Sequence, residues 1–191
     1  MMGNLTIEQT GDIEQCRKLC DELMAFQKSQ ATIMPEVFDR MTFDTRMKKS
    51  YESAEAKHVA IVKDGTTPVG YIFSTVETCT RAVVYPDWFP QENREGTLGF
   101  YPDWEYLPPK AGCLNNLYFQ DAYRGMGLGT RLLDMSMDWF KSLRDIELVF
   151  TYISNGNDAA MDFYLKHGFD YSHDVFGGFI KAVYKRLIPS G

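Results

Sequence analysis

A strand–helix–strand succession at residues 113–153 constrains the fold more than any other part of this sequence. Residues 113–119 have the pattern of a strand, residues 128–143 carry apolar side chains over a wide arc of a helix, and residues 146–153 form a nearly continuous apolar run. Such a run is typical of a strand in the interior of a sheet. A helix between two such strands returns the chain to the same sheet with the strands parallel. The succession predicts an α/β protein.

The rest of the chain extends this pattern. It predicts strands at residues 5–8, 58–63, 69–76, 113–119, 146–153, 169–176 and 179–187, and helices at residues 12–30, 36–52, 128–143 and 157–167. Asp12 and Gln15 have the spacing of a capping box. We expect one domain over residues 1–191, with a mixed central sheet of about seven strands flanked by helices and a long insertion between the third and fourth strands.

The composition excludes several classes of protein. The net charge is −6, from 20 basic and 26 acidic residues, so the chain lacks the basic field that attracts nucleic acids. No apolar run reaches the roughly 18 residues of a membrane span, and the N-terminus has no signal-peptide pattern. Four cysteines are too few for a disulfide framework, and no histidine and cysteine spacing suits a metal. We expect a cytoplasmic protein without a metal, a nucleic-acid partner or a membrane partner.

A glycine cluster at residues 123–130 precedes the long helix. Closely spaced glycines and a helix N-terminus together form a phosphate site. The spacing from Gly125 or Gly127 fails the dinucleotide pattern Gly-x-Gly-x-x-Gly, and no P-loop Gly-Lys-Ser/Thr occurs. The cluster does fit Arg-x-x-Gly-x-Gly, at Arg124, Gly127 and Gly129. The alternative is a tight turn that allows close packing of helix and strand.

A second motif lies behind the glycine cluster. Residues 157–169 fit Asn-x-x-Ala-x-x-Phe-Tyr-x-x-x-Gly-Phe. Together with Arg-x-x-Gly-x-Gly at this distance, the motif resembles the GNAT superfamily of acetyl-CoA-dependent N-acetyltransferases. The resemblance covers most of the chain, although the first hundred residues match only in the order of their elements.

The resemblance implies a binding site for acetyl-CoA as co-substrate. The glycine loop would bind the CoA pyrophosphate, with Arg124 as a mobile charge at the rim, and the strands at 113–119 and 146–153 would splay apart to admit the pantetheine. The implied cofactor-binding residues are Leu117, Tyr118, Phe119, Arg124, Gly125, Met126, Gly127, Leu128, Gly129, Thr130, Asn157 and Tyr164.

The resemblance also implies that Tyr164 protonates the departing CoA thiolate. A phenol has an ordinary pKa of about 10, close enough to that of a thiol for general-acid catalysis. The alternative is that Phe163 and Tyr164 are simply two core aromatics.

The general base is less defined. Many relatives have a carboxylate on the strand before the glycine loop, but this sequence has Asn115 and Asn116 there. Glu77, at the end of the neighbouring strand, is a catalytic candidate acting through water, and Asp121 and Tyr118 are others. Glu77 could equally be a solvated carboxylate at a strand end.

The insertion at residues 80–112 is rich in proline and aromatic residues, and it contains Tyr-Pro-Asp-Trp twice, ending at Trp88 and at Trp104. Long irregular connections are uncommon and are often functional. One hypothesis is a lid over the acceptor site, in which Trp88, Trp104, Asn115 and Asn116 contact the substrate. The alternative is a homodimer contact or a cover on the sheet.

These observations predict direct transfer of an acetyl group to a primary amine, without a covalent enzyme intermediate. The acidic net charge favours a small cationic amine as acceptor. Two alternatives stay open: an acetyltransferase acting on a protein amino group, and a non-catalytic acyl-CoA-binding sensor or interaction module. The absence of a strand carboxylate supports the sensor, and Tyr164 argues against it.

Overall fold

The computed structural model describes residues 4–187, which contain one sheet of seven strands in the order β1-β2-β3-β4-β5-β7-β6. The strands are β1 (Leu5–Gln9), β2 (Ala56–Asp64), β3 (Thr67–Thr78), β4 (Lys110–Phe119), β5 (Leu148–Ser154), β6 (Asp170–Val175) and β7 (Ile180–Arg186). The β4–β5 pair is parallel and the other neighbours are antiparallel. The predicted mixed sheet and its seven strands are confirmed.

The helices are α1 (Arg17–Gln30), α2 (Lys49–Ser53), α3 (Leu128–Ser142) and α4 (Asp158–Lys166). A 3-10 turn at Ile13–Cys16 precedes α1, and the Asp12 side chain makes no capping bond to the backbone. The expected capping box is therefore wrong: Asp12 instead accepts a hydrogen bond from the Gln15 side chain, at 3.4 Å. Within residues 4–187, no helix has the length and hydropathy to cross a membrane.

The helix expected at residues 36–52 is broken into three pieces. A 3-10 segment at Pro35–Arg40 is followed by a π-helical segment at Phe43–Lys48 and then by α2. The break lies at Thr42, whose backbone is extended and whose side chain accepts a hydrogen bond from the Thr45 backbone N–H. A threonine favours this capping role because its hydroxyl competes with the backbone for hydrogen bonds.

The two faces of the sheet are covered by different parts of the chain. The helices α3 and α4 pack on one face, where Leu132 and Phe140 meet Val149 and Ile153. The helix α1 and residues 35–48 pack on the opposite face. This arrangement follows from the wide apolar arc of α3, which needs a sheet to cover it.

The insertion between β3 and β4 contributes to the second face. It has no strand and only one short helical turn, at Gln91–Asn93. Trp88 and Phe89 are buried against Phe176 and Phe179, and the Trp104 ring lies 4.8 Å from that of Tyr184. Buried aromatic rings of this size contribute strongly to stability. The insertion therefore covers the β5–β7–β6 part of the sheet, which supports the cover hypothesis. Its residues Thr80, Val84, Phe100 and Tyr101 also line the cavity that contains Glu77, as a lid over the acceptor site would.

Candidate functional site

A cleft opens in the sheet between β4 and β5. The two strands pair only through Gly112–Leu114 and Val149–Thr151, although β4 continues to Phe119. The backbone of residues 115–119 therefore has no strand partner on the β5 side. Unpaired backbone amides in a cleft are ready hydrogen-bonding groups for a ligand. The splay expected between these strands is present.

A cavity of about 420 Å³ lies at the open end of this cleft. Its walls include most of the residues that the sequence motifs single out. These are Leu117, Tyr118, Phe119, Arg124, Gly125, Gly127, Leu128, Gly129, Thr130, Asn157 and Tyr164. Met126 is 38% exposed and is not part of these walls. The cavity thus joins two motifs that are separated in sequence.

The same cavity has walls that the sequence motifs did not indicate. They are Leu23 and Phe26 of α1 and Ala159 of α4. Tyr123, Ala160 and Phe163 also line the cavity; they belong to the two motifs but were not assigned to the site. The spacing of Leu23 and Phe26 predicted only that they belong to the apolar stripe of α1. Phe163 packs against Gly129, where an added Cβ would lie 3.6 Å from the ring. No local pattern distinguishes such contacts from ordinary core packing.

The glycine loop presents free backbone donors to the cavity. Gly125 and Gly127 have φ angles of 73° and 74°, in the left-handed region that favours glycine. Gly127 is the N-cap of α3 and offers no side-chain acceptor. Within residues 4–187, the N–H groups of Leu128, Gly129 and Thr130 find no acceptor, and the first helical bond is donated by Arg131. A helix start of this kind suits an anion.

Arg124 is held in place rather than mobile, contrary to the expectation for it. Its Nε donates to the Phe119 backbone oxygen at 3.0 Å, and its Nη1 lies 2.9 Å from a carboxylate oxygen of Asp121. The guanidinium also lies over the ring of Phe26, 4.7 Å from its centroid. These contacts fix the charge in the cavity wall and link α1 to the glycine loop.

Asn157 has a structural role as well as a place in the cavity wall. It is the N-cap of α4, where its Oδ1 accepts a hydrogen bond of 3.2 Å from the Ala160 N–H. N-cap asparagines are strongly preferred for this reason. Since the Oδ1 is engaged, the side-chain NH2 is the group left to donate to a ligand.

Tyr164 lies where the large cavity meets a smaller one. The smaller cavity, of about 50 Å³, lies between the parted strands and shares Leu117, Asn157 and Tyr164 with the larger one. Burial raises the pKa of Tyr164 to about 12, and the Thr151 hydroxyl acts in the opposite direction. The phenol is therefore protonated at neutral pH, and desolvation makes it a weaker acid than a free phenol.

Beyond Tyr164, two further cavities continue through the sheet. One of about 20 Å³ shares Asn115 and Asn116 with the cavity between the strands. The other, of about 310 Å³, shares Asn115 with the first and contains Glu77. A β-bulge accounts for both asparagines facing one cavity, because Phe73 pairs with Asn116 and Ser74 pairs with Leu114. Bulges re-aim side chains in this way and are frequent near active sites.

Glu77 is part of a short hydrogen-bonded chain in the 310 Å³ cavity. The Thr75 hydroxyl donates to Glu77 Oε1 at 2.7 Å and accepts from Asn115 Nδ2 at 2.7 Å. The other carboxylate oxygen of Glu77 is thus available to the cavity. Trp88 lines a cavity of about 780 Å³, which shares Arg46, Val84 and Phe100 with the 310 Å³ cavity. Trp104 lies on the sheet and lines none of the cavities described in residues 4–187.

Comparisons with known proteins agree with this geometry. The sequence profile described as the Acetyltransferase (GNAT) family matches residues 22–169. A comparison with the sequences of curated proteins finds no match.

Several solved structures are similar to this chain. The PaiA N-acetyltransferase of Thermoplasma acidophilum, in complex with coenzyme A, has a TM-score of 0.61 at 15% identity, with 95% of this chain and 99% of that one covered. NAA60 of Arabidopsis thaliana, in complex with a bisubstrate analogue, has a TM-score of 0.56 at 11% identity, with 97% and 100% covered. An acetyltransferase of Thermus thermophilus has a TM-score of 0.54 at 16% identity, with 97% and 99% covered.

At these identities the structural likeness concerns the fold. The family profile, however, spans well over half of the sequence and includes both the glycine loop and α4. The chain therefore belongs to the GNAT family of acetyltransferases.

Proposed function

We propose that this protein is an N-acetyltransferase that transfers the acetyl group of acetyl-CoA directly to a primary amine of a small molecule. The observation that carries the proposal is a series of adjoining cavities, each sharing lining residues with the next, from the glycine loop to Tyr164 and on to Glu77. When bound, acetyl-CoA supplies an acetyl group activated as a thioester. The residues of the chain must bind this molecule, orient it and move protons.

Binding rests on the free donors of the glycine loop. The N–H groups of Leu128, Gly129 and Thr130 and the start of α3 form an anion site for the pyrophosphate. The unpaired backbone of residues 115–119 and the Asn157 NH2 then donate to or accept from the amide-containing arm in the cleft. The volume of about 420 Å³ and the wall of apolar side chains from α1 and α4 suit a ligand of this size.

Proton movement rests on Tyr164 and Glu77. The amine nitrogen forms a bond to the acetyl carbonyl carbon as the carbon–sulfur bond breaks. The Tyr164 hydroxyl donates its proton to the departing sulfur, and Glu77 accepts the proton of the amine through water. General-acid and general-base steps of this kind contribute roughly 10²- to 10⁴-fold each. A backbone N–H near Leu117 polarises the carbonyl.

Calorimetry tests the ligand class. We expect acetyl-CoA and CoA to bind, and ATP and NAD to bind far more weakly, because the loop lacks the spacing that either nucleotide needs. Equal binding of NAD would contradict the assignment. Thiol release over a panel of amines then separates an enzyme from a sensor that binds acyl-CoA without turning it over.

A further inference from the structure

Arg46 is a half-buried cationic side chain that lines three cavities, including the one of about 780 Å³ that also contains Arg40 and Lys49. It lines the cavities of about 20 Å³ and 310 Å³, and among residues 4–187 it is the only cationic residue in the walls of either. It belongs to the π-helical segment Phe43–Lys48. Such segments are rare and frequently occur at functional sites, because the wider turn displaces a side chain from its usual direction.

The guanidinium of Arg46 has no partner in the part of the chain that the structure describes. Its Nε is buried without a hydrogen bond, the side chain as a whole is half-buried, and no ion pair of the described residues includes it. Two of the acidic side chains nearby are engaged elsewhere: Asp44 with Arg17 at 2.7 Å, and Asp87 with Lys49. The third, Glu77, lines the 310 Å³ cavity together with Arg46, but it accepts a hydrogen bond from Thr75 and forms no ion pair with Arg46 in the described residues. A guanidinium that faces these cavities without an ion pair can bind an anionic group of a ligand through charge-assisted hydrogen bonds.

Two further polar atoms in the same small cavity also lack partners. Asn116 Oδ1 and Ser154 Oγ are buried without a hydrogen bond, and both residues line the 20 Å³ cavity together with Arg46. Buried polar atoms are nearly always paired, so orphans gathered in one cavity point to a ligand. An amide oxygen and a hydroxyl can accept hydrogen bonds from an amine, which complements the donor capacity of the guanidinium.

We propose that the acceptor is a small molecule carrying a carboxylate close to its primary amine, as an amino acid does. Arg46 binds the carboxylate, while Asn116 and Ser154 orient the amine beside Tyr164 at the cleft. The inference rests on the proposed acetyltransferase function and names its substrate class. The planar fork of a guanidinium matches the two oxygens of a carboxylate. Arg46 thus offers a partner for an acidic group of the acceptor, unlike the net charge of the chain, whereas Glu77 in the same cavity is assigned to the amine proton.

The test compares matched amines in the full-length protein. A panel of α- and β-amino acids is assayed beside their carboxamides, their decarboxylated amines and phosphoethanolamine. Each is followed by thiol release from acetyl-CoA and, separately, by calorimetric titration into the protein saturated with CoA. The variants are Arg46→Gln, Arg46→Lys as the conservative change, and Arg144→Gln as a control at an exposed arginine beyond α3.

We expect the wild type to favour an amino acid over its carboxamide by about 10-fold or more in kcat/KM, the effect of one hydrogen-bonded charge pair. Arg46→Gln should abolish that preference, Arg46→Lys should retain part of it, and Arg144→Gln should leave it unchanged. Acetyl-CoA affinity should be the same in all four proteins, which excludes a loss of folding.

The inference would be overturned if the wild type used an amino acid and its carboxamide with equal kcat/KM. It would also be overturned if Arg46→Gln kept the preference of the wild type for the amino acid. A preference for phosphoethanolamine over every carboxylate would also overturn it. If acetyl-CoA binds but no amine releases thiol, the acetyltransferase function fails. The calorimetric comparison of amino acid and carboxamide still decides the role of Arg46 in that case.

Discussion

The hydroxyl of Thr151 donates a hydrogen bond of 3.0 Å to the backbone oxygen of Leu114, the last residue of β4 that pairs with β5. Beyond this pair the strands part and the cleft begins. Tyr164 lines both cavities that meet there. This hydrogen bond therefore lies at the last paired position of β4 and β5, where the cleft begins. The phenol that we assign as the general acid lines the cavities at this point.

Replacing Tyr164 by Phe should lower kcat by about 10²-fold or more, because the departing thiolate loses its proton donor. The KM for acetyl-CoA should change little, since the ring and its packing remain. Tyr171→Phe is the matched control, because this tyrosine is half exposed on β6 and lies outside the cavity walls described. Steady-state thiol release measures both. A kcat near that of the wild type in Tyr164→Phe would remove the general-acid assignment.

The glycine loop can be tested with a pair of equally strained substitutions. Gly127 and Gly65 both have positive φ, and an added Cβ at either position would meet nothing within 4 Å. Alanine at either position should therefore cost about 1–2 kcal/mol of unfolding free energy. Only Gly127→Ala should also weaken the binding of acetyl-CoA, by about tenfold, because it shifts the backbone N–H donors at the start of α3. Equal affinity of the two variants for acetyl-CoA would contradict the loop assignment.

The carboxylate of Glu77 is expected to affect turnover rather than binding. Glu77→Gln removes the group that accepts the amine proton, and kcat should fall by about 10²-fold. Glu92→Gln, in the exposed part of the insertion, is the control. Both variants should bind acetyl-CoA like the wild type in calorimetry. An unchanged kcat in Glu77→Gln would return this residue to a solvated strand-end carboxylate.

The insertion should contribute mainly to stability. Phe89 is 1% exposed within the aromatic cluster, and Phe89→Ala should lower the unfolding free energy by about 3–5 kcal/mol. Tyr106, in the same insertion, is 60% exposed, and Tyr106→Ala should change it by less than about 0.5 kcal/mol. Urea unfolding measures both. A similarly small effect of the two substitutions would contradict the role of the insertion as a cover and favour the lid over the acceptor site.

Buried His58 should make the protein less stable in mild acid. Desolvation lowers the pKa of His58 in the folded state, so the unfolded state binds a proton first as the pH falls through about 6.5. Stability should therefore be highest above that pH and decline below it. His58→Gln should flatten the decline between about pH 7.5 and 5.5, measured by urea unfolding. An unchanged dependence of the unfolding free energy on pH in His58→Gln would show that other groups cause the loss of stability in mild acid. His173, whose pKa desolvation also lowers, would be the first to test.

The sequence motifs predicted the part of the candidate site around the glycine loop and α4, but not the part around Arg46. Gly127 was indicated by the spacing of glycines before a helix, and Tyr164 by the resemblance of its motif to the GNAT superfamily. The side chain of Arg124 was misjudged, because its partner Phe26 lies on α1, far away in the sequence. Arg46 gave no signal, since its position follows from the break in the helix at Thr42.

The bulge in β4 explains a further difference. Strict alternation would place Asn115 and Asn116 on opposite faces of the sheet, but both line the 20 Å³ cavity. One inserted residue changes the direction of every side chain that follows, and no residue type in this strand marks its place. The insertion was likewise recognised as a distinct segment, while its contacts with Phe176 and Phe179 required the folded chain.

The most direct test of the central claim is the product balance with acetyl-CoA and the amine panel. Thiol release and N-acetylated amine, measured by mass spectrometry in the same reaction, should appear in equal amounts, and Tyr164→Phe should slow both by about 10²-fold. The mass of the protein itself should stay unchanged, because the transfer is direct. Tight binding of acetyl-CoA with no thiol released by any amine would contradict the claim and identify a sensor instead.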